Sequence, residues 1–147
     1  AVLLAALPRG YHVFHDFDCG APGAIDHVVV GPNGLFAVET KCWSGRVTYE
    51  DSGLRVNGVE PSRPPLRQAR SSAQALTRFL SERLGSAPPC TPVVCFASDT
   101  FEPDQLMVDN AVVCNASELH SLLVTHAGHL TADECERIVK VMEQKDS

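Results

Sequence analysis

Long hydrophobic runs are missing from this chain. No apolar stretch approaches the ~18 residues that a membrane-spanning helix needs. The opening "AVLLAAL" is too short for a signal peptide and has no basic flank before it. No C-x-x-C pair occurs and no Cys/His cluster has zinc-ligand spacing, which leaves no basis for a zinc finger or a thioredoxin-like motif. Neither G-x-x-x-x-G-K-[ST] nor G-x-S-x-G is found, so a phosphate-binding loop and a serine-hydrolase elbow have no support. A basic excess is lacking too: 12 Lys and Arg stand against 18 Asp and Glu, a net charge of −6, which argues against a protein wrapped tightly around nucleic acid. There is no internal repeat and no low-complexity segment.

What remains is a globular composition. At 147 residues, 44% hydrophobic and 20% charged, the chain has the length and apolar content for one domain with a substantial core. Six cysteines fall at 19, 42, 90, 95, 114 and 135. Several sit inside apolar runs ("PVVCFA", "AVVCNA"), where Cys behaves as a small hydrophobe, so they read as reduced core residues of a cytoplasmic protein. The charge is unevenly spread. Residues 41–83 hold eight Lys/Arg against four acids (+4), leaving four basic residues against fourteen acids (−10) elsewhere. Arg63, Arg67, Arg70 and Arg78 line one helical stripe, which suits either a phosphate track or a solvated helix face.

Residues 1–7 read as the end of a helix that begins upstream, stopped by Pro8 and Gly10. "YHVFHDFD" (11–18) alternates as a strand does and runs into a Gly/Pro loop. Strands are expected near 25–30 and 35–43, joined by Gly31-Pro32-Asn33-Gly34. A more polar hairpin over 45–58 turns at Asp51-Ser52-Gly53. From about Pro64 to Leu84 the spacing predicts a helix, with Leu66, Ala69, Ala73, Leu76, Phe79 and Leu80 on one apolar face and Gly85 as its stop. Short apolar strands at 91–97 and 111–115 follow, then helices from Ser117 and from Thr131, the second opened by a Thr131-x-x-Glu134 capping box. The order α, several β, α, β, β, α, α predicts an α/β fold of the α+β kind, a central mixed sheet flanked by helices.

The hairpin "IDHVVVGPNGLFAVETKCWSG" (25–45) carries the chemistry. Glu39 and Lys41 share a strand face because side chains alternate. If Val30 pairs with Leu35, paired positions sum to 65 and Asp26 lies opposite Glu39. If Asn33-Gly34 forms a type I′ turn, the sum is 67 and Asp26 lies opposite Lys41. Either register gathers the three side chains on one face, whereas an odd loop length would separate them. Two carboxylates on an apolar sheet respond by raising a pKa or by holding a divalent cation. A hard ion such as Mg²⁺ suits one or two carboxylates plus waters and a substrate phosphate, with Lys41 to hold water or offset phosphoryl charge. The plain alternative is a cross-strand ion pair worth about 1 kcal/mol or less. His27 faces the other side. Trp43 shares the parity of Glu39 and Lys41 and suits either stacking on a base or packing the sheet edge.

The strings "LPRGYHVFHDFD…GAIDHVVVGPNGLFAVETKCWSGRV" and "PPLRQARSSAQAL" resemble the nuclease-related domain, NERD, a branch of the PD-(D/E)xK nuclease superfamily. The similarity covers about residues 3–97, and the strand and helices over 105–145 are expected to complete the same domain, 1–147. The resemblance implies a restriction-endonuclease-like core and a Mg²⁺- or Mn²⁺-dependent nuclease, acting on nucleic acid with DNA ahead of RNA. It puts Asp26 and Glu39 in the metal-binding positions, Thr40 in the place whose carbonyl completes the metal shell, and Lys41 in that of the motif lysine. Gln68 takes the place of the polar helix residue near the site; its plainer role is a helix-to-sheet hydrogen bond. One departure stands out. Many members of the superfamily carry a glutamate on the first helix, and residues 1–7 contain no acid. The expectation is that this acid lies upstream of Ala1 or that the protein works without it. The rival reading is a nuclease-like fold that binds nucleic acid or protein without cutting.

Overall fold

The computed structural model describes residues 7–145; the helix end expected over 1–7 lies outside them but for Leu7, which belongs to no regular element. Among the described residues, eight strands and three helices follow one another. They are β1 (His12–Phe17), β2 (Ile25–Gly31), β3 (Gly34–Lys41), β4 (Val47–Glu50), β5 (Gly53–Val56), α1 (Pro65–Leu84), β6 (Cys90–Phe96), β7 (Gln105–Val108), β8 (Ala111–Asn115), α2 (Ala116–Thr125) and α3 (Ala132–Lys145). Six strands form one mixed sheet in the order β1-β2-β3-β6-β8-β7, and β4 and β5 make a separate two-stranded ribbon. β1, β2 and β3 run antiparallel as a meander. β6 lies parallel to β3 after a crossover through the ribbon and α1, and β8 lies parallel to β6, reached through the antiparallel edge strand β7.

The two sheet faces are covered differently. Val28 and Val30 of β2 and Leu35 and Ala37 of β3 pack against Leu76, Phe79 and Leu80 of α1 and Ile138 and Met142 of α3. On the opposite face Val29, Phe36, Val38, Val93 and Val112 pack against Leu119, Leu122 and Leu123 of α2. Each fully buried Leu or Phe of this kind contributes about 1.5–3 kcal/mol. The ribbon packs at the end of α1, with Val47 and Leu54 against Leu66, Ala69 and Phe96. The expected α+β sheet with helices on both sides is therefore the observed one.

Local chemistry explains the element ends. α1 begins on Pro64-Pro65, where a missing N–H costs nothing, and ends at Gly85, whose φ of 84° lets its N–H reach Ser81 O at 2.9 Å. Before α3, Thr131 Oγ1 accepts from Glu134 N at 3.1 Å while Glu134 Oε1 accepts from Thr131 N at 2.9 Å. This is the capping box that the sequence signals. The ribbon turns at Asp51-Ser52, with φ of 50° and 65°, the two left-handed residues a type I′ turn requires.

Three expectations need correction. The stretch over 105–145 supplies two strands where one was expected: β7 is a four-residue edge strand with alternating exposed positions, too short and too polar to stand out as a periodic run. β3 stops at Lys41 and not at Trp43, because the chain leaves the sheet once Lys41 O has accepted the last bond, from Ala97 N at 2.9 Å. The cysteines are all free thiols, but only Cys95, Cys114 and Cys135 are buried; Cys19 and Cys90 are half-buried, and Cys42, just past the end of β3, is exposed.

Candidate active site

Register decides where the acids go. β2 and β3 pair as His27↔Val38, Val28↔Ala37, Val30↔Leu35 and Gly31↔Gly34, so paired positions sum to 65. The Asn33-Gly34 turn is thereby rejected. The turn residues are Pro32 and Asn33, and Gly34 follows at φ 136°. The turn is held from outside as well. Pro32 O accepts from Leu130 N at 2.9 Å, and Asn33 Nδ2 donates to His126 O at 3.0 Å. Tyr11 donates its hydroxyl to the Asn33 side chain.

This register brings Asp26 level with Glu39, one step beyond the last ladder pair. Asp26 uses the opening: its Oδ2 accepts from Thr40 N at 2.9 Å. In a strand, a residue's N–H and C=O point to the same edge, and its neighbour's to the other. Lys41 O points to β6, so the Thr40 carbonyl points to the opposite edge, the β2 edge on which Asp26 also lies. Glu39 and Lys41 project to the α1 face with Leu35 and Ala37, where α1 meets them through one stripe of its surface. Ser72 Oγ donates to Glu39 Oε1 at 2.8 Å, and Lys41 Nζ donates to Gln68 Oε1 at 2.7 Å. Gln68 and Ser72 are one helical turn apart and so share that stripe.

Glu39 is only 6% exposed. Burial pushes its carboxyl above the ordinary glutamate range, and the neighbouring Asp26 carboxyl adds to the rise through its charge and through a hydrogen bond. The Ser72 hydroxyl and the Lys41 ammonium oppose it. Two acids forced into contact, backed by a lysine, open into a cleft of about 530 Å³ whose rim carries Arg63 and Arg67.

The candidate donors for a cation are two carboxylates and a main-chain carbonyl. Among the described residues no group of three or more His, Cys, Asp or Glu side chains is suited to a metal ion. That set does not fit zinc, which prefers nitrogen and sulfur. It does fit a hard divalent ion that keeps several of its waters. The contact between the two carboxylates is what such an ion relieves.

The arginine stripe divides. Arg63 and Arg67 are exposed at the cleft, whereas Arg70 and Arg78 line a separate cavity of about 440 Å³ on the other flank of α1. Arg70 is occupied there, donating to Val108 O at 2.9 Å with Asp109 Oδ2 at 3.8 Å. Trp43 lies beyond the strand, so its parity with Lys41 no longer holds, and its ring rests on Phe96 at 5.5 Å between centroids. His27 points to the far face, where its Nδ1 lies 2.8 Å from that of His15. The sequence pattern alone assigns Ser72 no role beyond its place on the helix. The signal was present: a small hydroxyl residue four positions after Gln68, at a place the apolar pattern would give to Ala.

A mixed sheet whose acid-bearing hairpin packs against a polar stripe of its crossover helix is an α+β, nuclease-like core. Residues 1–97, about two thirds of the chain, match the sequence model of the nuclease-related domain, NERD. The chain belongs to that family, a branch of the PD-(D/E)xK superfamily. No curated protein and no solved structure matches it. No helix among the described residues is long and apolar enough to cross a membrane.

Proposed function

We propose that this chain, acting as one domain over 1–147, is a Mg²⁺- or Mn²⁺-dependent nuclease that hydrolyses phosphodiester bonds, with DNA as the first substrate to test ahead of RNA. The observation that carries this reading is the convergence of Asp26, Glu39, Lys41 and Gln68 in one cleft from three separate elements. Asp26, Glu39 and the Thr40 carbonyl would hold the cation. When bound, a divalent ion supplies charge neutralisation at a phosphoryl group and lowers the pKa of water.

The chain's own residues account for the remainder. Gln68, 2.7 Å from Lys41 Nζ, fixes the ammonium where it can hold an attacking water or offset charge on a transferring phosphate. Ser72 keeps one Glu39 oxygen engaged and so turns the other towards the cleft. Asp26, locked onto Thr40 N, needs no reorganisation before it can bind. Arg63 and Arg67 at the rim supply a positive approach on a chain that is acidic overall. Free thiols on all six cysteines suit a reducing compartment, the cytoplasm.

The test is cleavage of plasmid and single-stranded DNA with Mn²⁺ by the wild type, Glu39→Ala and Lys41→Ala. Cleavage by the wild type alone is expected. Activity that survives both substitutions refutes the assignment. A second reading, a module that binds without cutting, is favoured by the net charge of −6 and by a cation set of only two carboxylates among the described residues. It predicts metal-independent binding and no cleavage by the wild type.

A further inference from the structure

Beside the carboxylate cleft lies a second hollow, of about 640 Å³, and the two share Lys41 and Arg63 in their walls. Its lining includes Trp43, Ser44 and Asn57, and no Asp or Glu lines it. The segment that carries Trp43 is braced at several points. A side chain at Gly45 would collide with the side chains of Asn57, at Nδ2 2.6 Å away, and Val56, at Cγ1 2.8 Å away, which pack directly on the Gly45 backbone. Asn57 Oδ1 accepts from Arg46 N at 2.9 Å. Arg46 in turn grips Glu102 through two bonds, of 2.6 and 3.1 Å. The hollow is therefore built in advance rather than formed by a mobile loop, which lowers the ordering cost of filling it.

A phosphate seated on Lys41 and Arg63 would carry its neighbouring nucleoside into this hollow. An aromatic ring, small hydrogen-bonding side chains and no negative charge in the lining suit a nucleobase. In a duplex the bases are paired and stacked inward, so only an unpaired base can enter. We infer that the substrate is a single strand, or a strand locally unpaired, whose base next to the scissile phosphate lodges against Trp43 while its backbone runs over Arg63 and Arg67. The inference rests on the reading that the carboxylate cleft addresses a phosphodiester, and it names that substrate's class.

Binding in EDTA, without hydrolysis, separates the two claims. The probes are fluorescein-labelled oligothymidylate of about a dozen nucleotides, within the usual span of single-strand sites, and a blunt duplex of equal length, read by fluorescence anisotropy. Trp43→Leu keeps much of the packing on Phe96 but loses the aromatic face; Trp43→Phe restores a ring. The single strand is expected to bind at least about 10-fold more tightly than the duplex. Trp43→Leu should weaken single-strand binding by about 5- to 100-fold and leave duplex binding unchanged, with Trp43→Phe recovering most of the loss. Equal affinity for the two probes, no binding of either, or an equal loss on both with Trp43→Leu overturns the inference. Single-strand preference without cleavage in Mn²⁺ would refute the nuclease reading and leave this one standing. Cleavage of both substrates, indifferent to Trp43, would do the reverse.

Discussion

Glu39→Gln separates what a cation does from what the fold does. Gln keeps the length of Glu and an acceptor for Ser72 Oγ, now 2.8 Å from Glu39, but removes the charge that sits against Asp26. Two full charges at about 4 Å repel by about 4 kcal/mol at an effective dielectric of about 20. Glu39→Gln also gives up the attraction of the Lys41 ammonium for the Glu39 carboxylate, so the net relief is smaller, about 1–2 kcal/mol. For a domain of this size that raises the metal-free Tm by about 2–8 °C. The pH dependence has a definite sign. Because the Glu39 pKa is raised, the folded state binds more protons than the unfolded one between the ordinary glutamate value and the folded value. Metal-free stability therefore falls as pH rises through that window, and Glu39→Gln flattens the slope. A cation reverses the order: at about 100 times its Kd it adds about 2.7 kcal/mol to the wild type. Differential scanning fluorimetry across pH, with EDTA, Mg²⁺ or Mn²⁺, reads all of this. A wild type unmoved by either ion, an equal ion response in Glu39→Gln, or a metal-free Glu39→Gln less stable than the wild type would each refute the reasoning.

Inserting one Gly between Pro32 and Asn33 makes the hairpin loop odd and shifts β2 by one residue against β3, sending Asp26 to the α2 face. Mn²⁺-dependent stabilisation and cleavage should disappear while far-UV circular dichroism stays close to wild type; persistence of either would show that loop parity does not set the site. Ser72→Ala removes the one hydroxyl donor to Glu39, so calorimetry should find cation binding weakened by about 10-fold. The acidic limb of the pH–rate profile should move to higher pH, since the lost bond had lowered the Glu39 pKa. Asn115, 1% exposed, accepts from Phe101 N at 2.8 Å and donates to Phe101 O at 2.7 Å. Asn115→Ala strands both groups and should cost about 2–4 kcal/mol in urea denaturation, with the Kd for Mn²⁺ unchanged.

The sequence by itself determined the elements whose signals are local. The 20-residue span of α1, its apolar face and its Gly85 stop follow from helical spacing and from the one residue type at ease at φ 84°. The capping box of α3 and the Asp51-Ser52 turn are contacts within four residues, so the chain carries them wherever it folds. The string around Asp26, Glu39 and Lys41 is specific enough to point to its family without coordinates. What it left open was long-range. Two hairpin registers both put the acids on one face, and the choice between them rests partly on Tyr11, His126 and Leu130, which grip the turn from distant parts of the chain. Ser72 looked like one more polar helix residue until α1 lay across β3 and put its hydroxyl 2.8 Å from Glu39. The arginines form one stripe in sequence, yet packing gives them different surroundings, with Arg63 and Arg67 at the cleft and Arg70 held by Val108 and Asp109. Trp43 kept its strand parity only until the chain turned out of the sheet after Lys41. Spacing fixes which residues share an element's face. What that face meets is set by packing between segments tens of residues apart, and only the tertiary structure decides it.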